Sequence, residues 1–124
     1  MTSLNQITYD IRGAAFRVHT ELGPGLLESA YEACLVHELR EMGYSVERQK
    51  GLPLRYKDVN LDIGYRMDML VAGRVVVELK SVRELTPIDT AQILTYMRLS
   101  GVQLGLLLNF NLFRMKDGIK RYIV

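Results

Sequence analysis

A run of three valines, Val75–Val77, leads directly into the sequence Glu78-Leu79-Lys80. Because β-branched residues favour strands, the segment Arg74–Lys80 predicts a strand in the centre of a sheet. Alternate side chains of a strand share a face, so Glu78 and Lys80 project to one side while Leu79 and the alternate valines pack on the other. Ionised groups on a central strand are costly unless they are paired or bound to a metal. The end of this strand is therefore a candidate site for chemistry.

Helices are predicted before and after this strand. Apolar residues three or four apart indicate amphipathic helices over Leu4–Leu22 and about Leu26–Met42. A third helix begins at Thr86-Pro87, which supplies a capping side chain and a proline in the first turn, and it ends before Gly101. The other strands are predicted at Tyr44–Lys50, Leu52–Val59, Ile63–Val71, Gln103–Asn109 and Ile119–Val124. The order is roughly ααβββαββ, which indicates an α/β (α+β) fold with a mixed central sheet flanked by helices.

Length and composition fit one domain over residues 1–124. The chain is 48% hydrophobic and 24% charged, which excludes wholesale disorder. Sixteen Lys and Arg against fourteen Asp and Glu give a net charge of +2, so any nucleic-acid site must be a local patch. The single cysteine, Cys34, excludes an internal disulfide framework. No apolar run reaches the roughly 20 residues that span a bilayer, and no export signal is predicted. We therefore expect a cytoplasmic protein without a membrane partner.

Asp68 lies on the strand predicted at Ile63–Val71, on its less hydrophobic face, because the odd-numbered positions of that strand are all apolar. A two-residue turn at Ala72-Gly73 would pair residue 68 with residue 77 and leave Asp68 and Glu78 on opposite faces. A three-residue or bulged turn would pair residue 68 with residue 78 and bring both carboxylates together. A shared chemical role for the two acids therefore requires a loop with an odd number of residues.

Two adjacent carboxylates repel, and each raises the pKa of the other unless a cation lies between them. A divalent metal meets this need, and oxygen ligands without His or Cys favour Mg²⁺ or Mn²⁺. The backbone carbonyl of Leu79 is a candidate third ligand beside Asp68 and Glu78. Lys80 would then lie beside the metal, where an ammonium group can help to deprotonate an attacking water and stabilise negative charge on a phosphate.

Each feature also has a purely structural interpretation. The charges of Glu78 and Lys80 fit a solvated strand face, and Glu28 fits an acid that the helix dipole favours in a first turn. Tyr31 falls in the apolar stripe of the second predicted helix and is expected to be part of the core. Glu38 lies in the same stripe, so it is expected to have a buried partner.

The segment from Asp68 to Lys80 resembles the signature of the PD-(D/E)XK nuclease superfamily, because nine residues separate Asp68 from the motif Glu78-x-Lys80. This sequence departs from the pattern in one place, because Met67 precedes the aspartate where the pattern has proline. That proline is often missing in the superfamily, so the departure puts little in doubt.

Two further motifs are in keeping with the same superfamily. Gln92 and Tyr96 lie four residues apart on the third predicted helix, on one face, and they are similar to an extra motif of its exonuclease-like branch. By itself this pair also fits an ordinary helix surface. Upstream, Gly25-x-x-Glu28-x-x-Tyr31 resembles the motif that names the small bacterial GxxExxY proteins, which are assigned to the superfamily.

The resemblance implies a restriction-endonuclease-like core and metal-dependent hydrolysis of phosphodiester bonds in nucleic acid, with DNA as the expected substrate. It implies that Asp68 and Glu78 bind the metal and that Glu28, on a helix, binds it directly or through water. It also implies that Lys80 is the catalytic lysine and that Gln92 and Tyr96 orient the substrate. The alternative is a nucleic-acid-binding or regulatory module that keeps the fold without turnover. The small size of the chain leaves room for recognition through a homodimer or a larger partner protein.

Overall fold

The computed structural model describes residues 2–124, apart from the side chain of Ile63. Five strands form one mixed sheet in the order β1-β2-β3-β4-β5, in which only β3 and β4 are parallel. A 3₁₀ turn at Met115–Gly118 precedes the last strand. The elements are α1 (Leu4–Leu22), α2 (Glu28–Glu41), β1 (Val46–Tyr56), β2 (Val59–Val71), β3 (Val75–Lys80), α3 (Pro87–Ser100), β4 (Leu104–Asn109) and β5 (Ile119–Ile123). The predicted α+β fold class and mixed sheet are confirmed.

The sheet separates two hydrophobic clusters. The first lies between the sheet and α1 and α2, and the second lies between the sheet and α3. Val75, Val77 and Leu79 of β3 belong to the first cluster and Val76 belongs to the second, as the alternation of a strand predicts. Apolar side chains therefore cover both faces of β3, and any carboxylate on this strand loses most of its hydration.

The turn between β2 and β3 has the length that the shared acid site requires. Val71 pairs with Val75 and Met69 pairs with Val77, so residues 72–74 form a three-residue loop. Ala72 and Gly73 both have positive φ, at 55° and 64°. Continuing this register places residue 68 opposite residue 78. The sequence left the length of this loop undecided, and the odd number of residues that a shared acid site requires is confirmed.

The regular alternation of β2 breaks at Asp68. Met69 belongs to the cluster under α1 and α2, whereas Met67 belongs to the cluster under α3. The expectation that the odd-numbered positions of this strand share one face is therefore wrong, and the side chain of Ile63 lies outside the described part. The opposite position on β1 is Gln49, which has a φ of 48°. The alternation of side chains between the two faces of the sheet is therefore interrupted in both strands at this point, and the direction of the Asp68 side chain changes with it.

Three smaller predictions also differ from the structure. The two short segments at Tyr44–Lys50 and Leu52–Val59 are one continuous strand with an irregular register between Leu52 and Leu54, followed by the start of β2. The second helix begins at Glu28, and Leu27, which the apolar spacing of the predicted helix assigns to its buried stripe, is 78% exposed. Glu38 pairs with Arg17 at a half-exposed position and has no buried partner among the described residues.

The parallel strands β3 and β4 end at the same edge of the sheet, at Lys80 and Asn109. The buried side chain of Asn109 donates to the carbonyl of Val82 (2.9 Å) and accepts from its amide (3.1 Å). Asn111 accepts a hydrogen bond from the amide of Gly25 at 3.0 Å. These bonds hold three loops together beside the ends of the two strands. No helix within residues 2–124 is both long enough and apolar enough to cross a membrane.

Gly118→Ala is expected to lower the free energy of unfolding by about 1–3 kcal/mol. A Cβ atom at this position would overlap the backbone carbonyl of Asn109, which cannot move without disturbing the loop that Asn109 holds. Urea unfolding measures the change. Gly64→Ala is the control, since its Cβ would meet no atom within 4 Å, and an equal loss in both variants would contradict the prediction.

Candidate active site

Asp68 and Glu78 bind each other's strand through reciprocal hydrogen bonds. The amide of Asp68 donates to Oε2 of Glu78 at 2.8 Å, and the amide of Leu79 donates to Oδ2 of Asp68 at 2.9 Å. The β2–β3 ladder ends at Met69 and Val77, so these side chains replace the backbone bonds that the next pair of residues would have made. Within residues 2–124, each acid therefore has one oxygen bound to a backbone amide and a second oxygen that is free of such a bond.

Glu78 is almost fully buried, with 4% of its surface exposed. Burial, followed by the charge of Asp68, raises the pKa of Glu78 to about 9. Glu78 therefore holds a proton at neutral pH unless a cation replaces that proton. The electrostatics of this pair thus favour a positively charged ligand.

Lys80 follows at the end of β3 and contacts α3. Its Nζ lies 3.7 Å from Oδ1 of Asp89 and donates to Oε1 of Gln92 at 3.3 Å. The other oxygen of Asp89 accepts from the amide of Thr86 at 2.9 Å and closes the capping box of α3. The start of this helix therefore fixes the ammonium group. Asp89 was not predicted to contact Lys80, and its only sequence signal was its place in the capping motif.

Tyr96 lies one helical turn beyond Gln92 and is 7% exposed. Burial, followed by the charges of Glu78 and Asp68, raises the pKa of the Tyr96 hydroxyl. The predicted pair on α3 is therefore next to the acids and the lysine. Gln92 contacts Lys80 directly, so in this structure it positions the lysine.

Glu28 is the first residue of α2 and lies in the same cleft as Asp68. The cleft has a volume of about 310 Å³, and Leu79 and Gln49 also line it. Partial burial raises the pKa of the Glu28 carboxyl, the charge of Lys80 opposes this shift, and the charge of Asp68 adds to it. Glu28 thus belongs to the same electrostatic neighbourhood while it keeps an exposed carboxylate.

Tyr31 explains how the Gly-x-x-Glu-x-x-Tyr motif positions Glu28. Its fully buried ring stacks on Phe110 with the ring centres 4.6 Å apart. Its hydroxyl donates to the carbonyl of Gly23 at 2.6 Å and accepts from the amide of Leu26 at 3.1 Å. The tyrosine is part of the core, as predicted, and it also holds the loop that leads into Glu28.

Tyr31→Phe is expected to lower the free energy of unfolding by about 1–2 kcal/mol, because two loop groups lose their hydrogen-bond partner. Because Tyr31 holds the loop that leads into Glu28, we also expect a lower rate of DNA cleavage. Thermal unfolding measures the first effect. Tyr9→Phe is the control, because Tyr9 is 72% exposed, and an equal loss in the two variants would contradict this role of Tyr31.

A cluster on β1 and α2 was missed by sequence reasoning. Buried Glu32 accepts from Arg48 at 3.0 Å and from Nε2 of Gln49 at 2.6 Å. Nε2 of Gln49 also lies 3.4 Å from Oδ1 of Asp68. Glu32 is one turn after Glu28 and could have been considered on that spacing alone. Gln49 had no sequence signal, because its left-handed backbone arises only where β1 and β2 change face.

The acids partly fit the predicted metal. Asp68, Glu78 and Glu28 offer hard carboxylate oxygens, which suit Mg²⁺ or Mn²⁺. Burial and the neighbouring charge of Asp68 raise the pKa of Glu78, and a bound cation would offset both effects. Within residues 2–124, however, no three His, Cys, Asp or Glu side chains are grouped closely enough to hold a metal ion. Asp68 and Glu78 are adjacent as expected, while Glu28 as a further ligand stays a prediction.

One of the comparisons with known proteins found a match. A family model of the PD-(D/E)XK nuclease superfamily matches residues 5–122, which is nearly the whole chain. The chain belongs to this superfamily. The mixed sheet with helices on both faces is consistent with the restriction-endonuclease-like fold of PD-(D/E)XK proteins. No curated protein and no solved structure showed a significant match to this PD-(D/E)XK chain.

Proposed function

We propose that this PD-(D/E)XK protein is a Mg²⁺- or Mn²⁺-dependent nuclease that hydrolyses phosphodiester bonds in DNA. The observation that carries the proposal is the pair of buried Glu78 and half-buried Asp68, joined by reciprocal hydrogen bonds, with Lys80 two residues beyond Glu78 on the same strand. Burying Glu78 beside a second acid is costly for stability, so its presence at a strand end favours a functional role. The reducing bacterial cytoplasm, which suits the single thiol of Cys34, is the proposed location.

The acids would hold the metal. Asp68 and Glu78 each have an oxygen free of backbone hydrogen bonds, the carbonyl of Leu79 is adjacent, and Glu28 faces the same cleft. When bound, the ion supplies positive charge that polarises the phosphate and acidifies the attacking water. Glu32 and Gln49 would keep Asp68 oriented, since Nε2 of Gln49 contacts both carboxylates.

Lys80 would act on the substrate itself. Its ammonium group is held by Asp89 and Gln92, so its position is set before DNA arrives. A fixed cation stabilises the charge that develops on the phosphate oxygens without the cost of reorganisation. Gln92 and Tyr96 lie next to this group on α3 and would orient the strand beside it.

A cleavage assay on linear, nicked and single-stranded DNA, with Mg²⁺, Mn²⁺ or EDTA, tests the proposal. We expect cleavage in either metal, none in EDTA, and none by Asp68→Asn in any condition. Asp62→Asn is a matched control, because Asp62 is an exposed acid on the same strand. DNA binding without cleavage, unaffected by EDTA, would instead identify a binding module that keeps the nuclease fold.

A further inference from the structure

An apolar groove runs between α3 and the β1–β2 hairpin. Its volume is about 330 Å³, near the lower end of the roughly 300–1,000 Å³ of small-molecule sites. The hairpin contributes Leu54 and Tyr65, and α3 contributes Ile88, Gln92, Tyr96 and Leu99. The lining is thus apolar and aromatic, with an amide and a hydroxyl at one side.

Two of the large apolar side chains that line this groove are unusually exposed to solvent. Ile88 is 73% exposed and Tyr65 is 45% exposed, although both are large and apolar. A contiguous apolar surface of this kind marks a binding site more often than a lone exposed residue does. The groove therefore suits a ligand with a flat apolar face.

The groove is continuous with the candidate active site. Gln92 lines the groove and also accepts a hydrogen bond from Lys80 at 3.3 Å. Tyr96 lines it one turn later. A strand whose phosphate lies at Lys80 would have its neighbouring base at the entrance of the groove.

Exposed cations flank the same hairpin. Lys57 lies in the turn between the two strands, whereas Arg55 and Arg66, next to Leu54 and Tyr65, project from the opposite face of the hairpin because successive side chains of a strand alternate. Positive charge beside a stacking surface is usual in proteins that bind single-stranded nucleic acid, and Lys80, which donates to Gln92 of the groove, supplies such a charge on the face that the groove occupies. In a duplex the bases already stack on each other and cannot enter such a groove, whereas an unpaired base can.

We propose that this groove stacks an unpaired nucleobase next to the scissile phosphate, so that the protein acts on single-stranded or frayed DNA rather than on intact duplex. The inference rests on the proposed nuclease function for the phosphate site. Tyr65 and Ile88 supply the stacking surface, and Gln92 connects it to Lys80.

Binding to short fluorescent oligonucleotides in EDTA tests the groove without cleavage. Single-stranded DNA should bind roughly tenfold more tightly than a strand of abasic nucleotides with the same phosphates, and more tightly than blunt duplex. Tyr65→Ala and Ile88→Ser should remove the preference over the abasic strand. Tyr9→Ala and Ile123→Ser replace exposed apolar residues elsewhere and should keep it.

Equal binding to the base-containing and abasic strands, or a preference that survives both groove variants, would overturn the inference, as would no binding to any oligonucleotide. Its failure is distinguishable from that of the nuclease proposal. Metal-dependent cleavage without any base preference would reject only the groove. Base-dependent binding by a protein that never cleaves DNA in Mg²⁺ or Mn²⁺ would uphold the groove and reject the nuclease.

Discussion

Lys80→Ala is expected to lower the rate of Mg²⁺-dependent DNA cleavage by roughly 10²- to 10⁴-fold. The Lys80 ammonium group is fixed by Asp89 at 3.7 Å and Gln92 at 3.3 Å, so its loss removes a charge that needs no reorganisation during the reaction. Single-turnover cleavage with excess protein measures the effect. The affinity for DNA should change far less, because Lys80 is one of several cations available to phosphates.

Lys116→Ala is the matched control for this experiment. Lys116 is an exposed lysine of the 3₁₀ turn, and its removal makes the same change in net charge. This variant should cleave at the wild-type rate. Metal-dependent cleavage by Lys80→Ala within a few-fold of wild type, in a protein whose thermal unfolding is unchanged, would contradict the role given to Lys80.

Glu78→Gln is expected to stabilise the metal-free protein, by roughly 2 kcal/mol at about pH 8. The pKa of Glu78 rises from 4.5 to about 9 on folding, so between these values the folded protein retains a proton that the unfolded chain has released. The free energy of unfolding of the wild type therefore falls as the pH rises through this range. Glutamine resembles the protonated acid and removes that loss, so the gain should grow with pH.

Urea unfolding in EDTA at about pH 6 and about pH 8 measures this gain. Glu84→Gln is the control, because Glu84 is exposed and should show no such gain. Added Mg²⁺ should stabilise the wild type more than Glu78→Gln, since a ligand that binds only the folded state raises its stability. A Glu78→Gln protein that is less stable than wild type at both pH values would contradict a buried, protonated Glu78.

The sequence predicted correctly those helices and strands that are specified by the residues within or next to them. Helix α1 begins at Leu4 and ends at Leu22 as predicted, because its apolar spacing and the following glycine specify both the buried face and the end. The valine-rich strand is central, and the capping box starts α3 at Pro87. The sequence left two turn lengths open and showed only that a shared role of Asp68 and Glu78 requires an odd-numbered loop, and the structure has the three-residue loop.

The features that sequence could not predict depend on contacts between distant segments. Met67 and Met69 lie on opposite sides of the sheet because Asp68 and Glu78 exchange hydrogen bonds with backbone amides where the ladder would have continued. The left-handed backbone of Gln49 follows from the same break, and it brings Gln49 to Glu32 and Asp68. No periodicity in the sequence encodes these contacts.

Anomalous diffraction from a crystal soaked in Mn²⁺ tests the metal site most directly, because the signal locates the ion itself. We expect one strong peak between the carboxylates of Asp68 and Glu78, on the side of the cleft that Glu28 lines. A peak at another position, or none at saturating Mn²⁺ while each acid still accepts from the backbone of the neighbouring strand, would contradict a metal-dependent nuclease site here.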